Sequence, residues 1–197
     1  MANNSNATTL LERSLQEHLQ ALHALLDTGL ADIENAGRAI CEALAAGNKI
    51  LICGNGGSAA DAQHIAAELV GRYENNRRAY PAIALTTDTS ALTAVSNDFG
   101  YEQVFARQVQ ALAQAGDILI AISTSGKSPN VIKAAEMAGS LGCKTIGLTG
   151  ATAEPLAHYC FITVKVLSSR TARVQEGHIT IGHLWCEMVD QILGKQE

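Results

Sequence analysis

At 197 residues the chain has the length of one domain. Apolar residues make up 47%, enough for a sizeable core, and 14 basic against 19 acidic side chains leave a net charge of −5. With aromatics at 4%, that balance excludes the basic stripe and stacking platform of a general nucleic-acid binder. No apolar run approaches the ~20 residues of a membrane span. The opening MANNSNATTLLERS lacks the basic-then-apolar order of a secretory signal. The expectation is a cytoplasmic protein with neither nucleic acid nor membrane as partner. Five cysteines, at 41, 53, 143, 160 and 186, form no C-x-x-C pair. They read as buried reduced thiols rather than a thiolate zinc site.

Residues 8–28 carry Leu10, Leu11, Leu15, Leu19, Leu22, Leu25 and Leu26 at helical spacing, and 31–46 repeat the pattern up to Gly47. This predicts a helical hairpin whose apolar stripes pack on the body or on another subunit. From Lys49 the grammar changes. KILICG (49–54), PAIALTT (81–87), DILIAIS (117–123), KTIGLTG (144–150) and CFITVKV (160–166) are short apolar runs. Ala-rich helical stretches lie between them at 58–72, 101–114 and 129–141, and a last helix spans 173–194. Continuous apolar strands alternating with helices predict an α/β three-layer sandwich on a parallel sheet. Residues 1–47 then form helices for oligomer packing and 48–197 the core of one domain. Ligands in such sheets bind beyond the carboxyl ends of the strands. The loops after residues 53, 87, 123 and 149 are therefore the place to look for chemistry.

Gly54-Asn55-Gly56-Gly57-Ser58 joins the first strand to a helix. Glycines let the backbone turn tightly and bring its N–H groups close to a ligand, and a helix N-terminus favours an anion. Ser58 with Asp61 predicts a capping box. Gly54-x-Gly56-x-x-Ala59 also fits a loose dinucleotide fingerprint, with Asp88 where the ribose acid would stand. Nucleotide site, plain turn and sugar-phosphate site all remain open on this loop alone. After the third strand comes Ser123-Thr124-Ser125-Gly126-Lys127-Ser128-Pro129. Ser128 occupies the N-cap position and Pro129 the first helical position. Clustered hydroxyls, backbone N–H groups and a helix dipole suit a phosphate monoester. A Ser-rich capped turn is the plainer alternative.

His64 and Glu68 stand four apart on the helix that the glycine loop launches, hence on one face. Gln175, Glu176, His178 and His183 share the last helix. Imidazole and carboxylate ligands suit zinc with a position left open for substrate. Gln175 and His183 are about 12 Å apart along a straight helix. Both reach one ion only if the helix starts late, the side chains lean inward, or a neighbouring subunit donates one. His18 and His23 on the front helices and His158 in a loop read as structural.

Together Cys53-Gly-Asn-Gly-Gly-Ser58, His64-x-x-x-Glu68, Asn97-Asp98-Phe99-Gly100, Ser123-Thr-Ser-Gly-x-Ser128 and Gln175-Glu176-x-His178-x-x-x-x-His183 resemble the phosphoheptose isomerase family of sugar isomerase (SIS) proteins. The likeness runs from about residue 40 to 190. It implies a five-stranded parallel sheet with flavodoxin-like winding, a homotetramer and active sites between subunits. It implies conversion of sedoheptulose 7-phosphate to D-glycero-D-manno-heptose 7-phosphate, which supplies heptose for bacterial surface polysaccharide. By the family pattern His64, Glu68, Gln175 and His183 hold one zinc ion per subunit. Asn55, Gly56, Gly57, Ser58, Glu68, Arg72, Asn97, Asp98, Ser123, Thr124, Ser125, Ser128 and Gln175 contact the substrate, and Glu68 and His183 act as base and acid. Ala172 departs from relatives that carry an acid before the arginine matched by Arg173. SIS proteins that associate with the bacterial replication initiator share part of the pattern but typically lack the equivalent of Glu68. An SIS enzyme for another sugar phosphate is the second rival.

Overall fold

A computed structural model describes residues 4–194, so the three residues at either end of the expected domain lie outside it. The chain forms strands β1 (Ile50–Gly54), β2 (Ala82–Ala84), β3 (Ile118–Ile122), β4 (Lys144–Thr149) and β5 (Ile162–Lys165). All pair in parallel, in the order β2-β1-β3-β4-β5. β1 and β3 are buried along their whole length, as unbroken Ile/Leu/Ala runs require when helices cover both faces of a sheet.

The helices are α1 (Asn4–Ala24), α2 (Leu30–Ala45), α3 (Gly57–Val70), α4 (Thr89–Phe99), α5 (Val104–Leu112), α6 (Pro129–Ser140) and α7 (Thr171–Ile192). Alternation along each strand sorts the core into two layers. Ile50, Ile52, Ile118, Ile120 and Ile146 pack with α2, α3 and α7 on one face. Leu51, Cys53, Leu119 and Ala121 pack with α5 and α6 on the other. Burial pushes the Cys53 and Cys186 thiols up to about 12, and those of Cys41 and Cys160 to about 11. All five cysteines are free, in line with inert thiols.

Two expectations change. The front half is not a hairpin. Leu25–Gly29 is one π-helical turn, and Ala24, Gly29 and Leu30 all keep right-handed helical dihedrals. The chain therefore does not reverse, and α1 continues into α2 as one long helix. Asp27-Thr28-Gly29 offers a single glycine and no proline. Thr28 Oγ1 returns to the Ala24 carbonyl at 2.9 Å, which satisfies the backbone without a loop. Both halves lie along α7, where Trp185 Nε1 donates to the Ile33 carbonyl at 3.0 Å. The second change is α4, which the periodicity did not reveal. It buries no residue fully, and its short stripe of Leu92, Val95 and Phe99 only partly covers the core, with Leu92 and Val95 half-buried. Its start is marked by Asp88, which accepts from Ala91 N at 2.9 Å; that carboxylate caps a helix. The helix expected over 101–114 begins as a 3-10 turn at Tyr101–Gln103 before α5.

At the amino end of the sheet Asp117 is 1% exposed. It accepts from Lys49 N at 3.0 Å, Gln114 N at 2.7 Å and Lys49 Nζ at 2.5 Å. Its carboxylate fixes the entry of β1 beside that of β3. Replacing Asp117 by Ala would strand two backbone donors and a half-buried cation. Urea unfolding of Asp117→Ala should show a loss of at least ~2 kcal/mol. A loss under ~0.5 kcal/mol would mean that water replaces the carboxylate.

Candidate active site

The strand order reverses between β1 and β3: from β1 the chain passes to β2 on one side, and from β3 to β4 on the other. A crevice opens at such a point beyond the carboxyl ends. Gly54 pairs in register with Ile122, so the glycine loop and the serine loop leave the sheet side by side. In the glycine loop Gly56 takes φ +57° and is the N-cap of α3. Ser58 is not the cap that the sequence predicts. It lies inside α3 and is 3% exposed. Gly54 permits this tight turn, because a Cβ there would sit 2.8 Å from the Ser58 carbonyl oxygen.

In the serine loop Ser128 does precede α6 with Pro129 at its first turn, but its hydroxyl makes no bond to the helix. Its Oγ lies 2.9 Å from Ser123 Oγ instead. Gly126 takes φ +67°, and a Cβ there would stand 2.5 Å from the Ala153 carbonyl. Thr124 and Ser125 line a cleft of about 290 Å³ together with Lys127, Ser168, Ser169 and Thr171. Ser168, Ser169 and Thr171 come from the approach to α7, which periodicity alone could not bring to this loop. Ser125 and Lys127 are exposed there.

α3 and α7 run side by side. Where they meet, His64 Nε2 is 3.2 Å from Glu68 Oε1 and 3.4 Å from His183 Nε2. Ligand atoms of all three residues fall within 4.8 Å of one another. Two nitrogens about 2.0–2.1 Å from a tetrahedral ion lie roughly 3.4 Å apart. The donor set therefore fits zinc, with His64, Glu68 and His183 as ligands and a fourth position open. Gln175 is not with them. Its side-chain amide packs on Gly57 at the other end of α3, where an added Cβ would clash with it. α7 starts at Thr171, so Gln175 already lies in regular helix and its ~12 Å separation from His183 stands. Gln175 thus belongs to the glycine loop within one protomer.

Arg72 is exposed just past α3, and Asn97 and Asp98 are exposed at the end of α4, where Asn97 Nδ2 donates to Asp98 Oδ1 at 2.8 Å. Two residues that the sequence did not single out bind these segments together. Asn130, 2% exposed, exchanges amide hydrogen bonds with Asn55 at 2.9 and 2.8 Å. Tyr101 donates its hydroxyl to Asn55 Oδ1 at 3.0 Å. Neither type nor spacing could have flagged them, because their partners lie 75 and 46 positions away. Asp61, expected to pair with Ser58, has a buried Oδ2 without a partner, and burial raises its carboxyl to about 6 against the opposing pull of His64. His18 Nδ1 stands 2.8 Å from Glu176 Oε2 without hydrogen-bond geometry, a contact between α1 and α7.

His178 is fully buried and does not face the site. Its Nε2 lies 3.0 Å from the Thr149 carbonyl, so that nitrogen donates.

A parallel sheet with hydroxyl-rich loops at its switch point, flanked by a helix pair that gathers two imidazoles and a carboxylate, defines a sugar-phosphate isomerase fold. A model of the SIS domain family matches residues 15–150. A phosphoheptose isomerase from Aliarcobacter butzleri is 54% identical over 176 residues, which cover 89% of this chain and 93% of that protein. Among solved structures, a phosphoheptose isomerase from Neisseria gonorrhoeae is 40% identical at TM-score 0.89, covering 94% of this chain and all of the other. One from Francisella tularensis is 37% identical at TM-score 0.88 over 97% of this chain. The chain belongs to the SIS domain family, among its phosphoheptose isomerases.

The buried His178 has a measurable signature. Burial, partly opposed by the bond to Thr149, pushes its imidazole down from 6.5 to about 4. The unfolded chain therefore takes up this proton first as pH falls. Stability is intact above about 6.5 and is lost progressively between there and about 4, by up to about 3 kcal/mol. Urea midpoints measured from pH 7.5 to 4.5 should fall for the wild type and fall less steeply for His178→Gln. Parallel slopes would mean that His178 titrates in the folded protein as it does unfolded.

Proposed function

We propose that the chain interconverts sedoheptulose 7-phosphate and D-glycero-D-manno-heptose 7-phosphate, with Glu68 and His183 moving the protons. The observation that carries this reading is the convergence of His64, Glu68 and His183 from two helices in a protein whose sheet ends in hydroxyl-rich loops. The reaction moves hydrogen between neighbouring carbons. The Glu68 carboxylate takes a proton from C1 of the ketose, the enediol forms, and the proton is returned to C2. His183 carries a proton between O1 and O2 near neutral pH. The serine loop, Ser123, Thr124, Ser125 and Ser128, holds the phosphate, so remote binding energy orients the reacting end. Asn55, Gly56, Gly57, Ser58, Arg72, Asn97, Asp98 and Gln175 complete the substrate contacts. A zinc ion on His64, Glu68 and His183 would polarise the substrate oxygens. A phosphorylated sugar as substrate supports a cytoplasmic location and a place in heptose supply.

The reading includes a homotetramer with shared sites. Leu11, Leu15 and Leu19 are 64%, 65% and 54% exposed on one face of α1, more apolar surface than a lone helix leaves in water. His64 lies seven residues along α3 from Gly57, about 10 Å down the axis. A heptose phosphate seated on the loops of one protomer is better placed to meet the cluster of another. Gln175 of a neighbour would then add a fourth protein ligand, with substrate in a fifth position.

Turnover of sedoheptulose 7-phosphate by Glu68→Gln tests the mechanism. The amide keeps size and reach but cannot accept the proton, so kcat should fall by ~10²–10⁴ with a near-normal melting temperature. Near-normal turnover would move the base elsewhere. Metal analysis of protein purified without chelator should find one zinc per subunit, absent from His64→Ala. Full activity with no detectable metal would leave acid–base chemistry alone.

A further inference from the structure

We propose that the buried ion pair Arg77–Asp190 is the positioning device of the His64/Glu68/His183 cluster. This rests on the reading of that cluster as a metal site and adds the residues that set its dimensions. The three candidate ligands come from α3 and α7, and nothing covalent fixes one helix against the other near them. Arg77 and Asp190 do so. Arg77 Nη2 donates to the Glu68 carbonyl at 2.9 Å and Nη1 to the Leu69 carbonyl at 3.0 Å, which holds the last turn of α3. Its Nε donates to Asp190 Oδ1 at 2.7 Å. Asp190 lies seven residues, two helical turns, beyond His183 and so on nearly the same face of α7. The backbone of Glu68 is thus tied through one guanidinium to the helix that carries His183.

The same carboxylate holds a third piece. Asp190 Oδ2 accepts from Glu74 N at 3.0 Å and Asn75 N at 2.8 Å. These bonds pin the segment after α3 against α7, and that segment brings the Tyr73 ring to 5.6 Å from the His183 ring. Beyond the Leu69 and Arg78 carbonyls and the Tyr80 ring, the contacts of this device end on Glu68, on the helix of His183 or on the segment that backs His183. The pair is dry, with side chains 0% and 1% exposed. A buried ion pair often stabilises no better than apolar residues of like volume. What it adds here is direction, because a planar guanidinium and a carboxylate accept partners at fixed angles.

The experiment separates positioning from general stability. Zinc affinity is measured by competition with a chelating dye for wild type, Asp190→Asn, Arg77→Lys and Asp117→Asn. The last variant breaks the Lys49–Asp117 ion pair, which ties the entries of β1 and β3 and touches neither α3 nor α7. Asp190→Asn should lose zinc affinity ~10–100-fold, the usual scale for residues that orient metal ligands. At saturating zinc its kcat should fall while KM for sedoheptulose 7-phosphate changes less than twofold, because the serine loop is untouched. Arg77→Lys keeps the cation but not the fork, and should lose affinity as well; it decides the matter if Asp190→Asn does not fold. Asp117→Asn should lower the melting temperature and leave zinc affinity within twofold. Wild-type affinity in Asp190→Asn, or in Arg77→Lys where it stands in, overturns the positioning role alone. An equal loss in Asp117→Asn overturns it in favour of general loosening. A wild type that binds zinc no better than His64→Ala overturns the metal reading and this inference with it.

Discussion

The pairing of β1 with β3 is the constraint on which the site depends. A parallel ladder aligns strand ends that are far apart in sequence, and here it sets Gly54 beside Ile122. Both loops that follow must then turn into helices at the same edge of the sheet. The strand order reverses at this pair, so α3 and α6 leave on opposite faces and the crevice between them stays open. Backbone N–H groups at two helix starts and a cluster of hydroxyls are the result. A slip in this ladder would separate Asn55 from Asn130 and cost the buried Asn130 amide its side-chain partner, which favours the observed register.

A second pair, α3 and α7, brings His64, Glu68 and His183 together. Running side by side, these helices present two separate stations. Gln175 meets Gly57 at one end, and His183 meets His64 and Glu68 about two turns further on. One helix, α7, thus carries Gln175 and His183 at two separate places. That separation makes the angle between the helices critical. A tilt of about 5° pivoted at the first station would shift the second by roughly an ångström, which is large beside the 3.4 Å between the His64 and His183 nitrogens.

Polar groups buried in this protein are concentrated where two elements must keep a fixed relation. Asp117 ties β1 to β3, His178 ties α7 to β4, and Asp190 ties α7 to the end of α3. Burial would raise the Asp190 carboxyl, but donors from Asn75, Arg77 and Glu74 overcome it and hold the group below its usual range. The apolar layers supply most of the stability, being non-directional. These three groups supply direction.

Much of the architecture was legible in the chain. Short apolar runs located all five strands, most clearly β1 and β3, because a strand buried on both faces cannot carry polar residues. The i,i+4 spacing of His64 and Glu68 and the hydroxyl run at 123–128 were visible because each is local. The family likeness supplied the partners that spacing could not. Three things lay beyond the sequence. α4 escaped because its apolar stripe is only three residues long, Leu92, Val95 and Phe99, among polar neighbours. The continuity of α1 into α2 escaped because a π turn and a loop have similar composition. The polar ties of Asn130, Tyr101, Arg77 and Asp190 escaped because each joins residues distant in sequence. Local periodicity therefore determined most of the elements that form. Tertiary packing alone decided which side chains meet, since a hydrogen bond across 75 or 113 positions leaves no periodic trace.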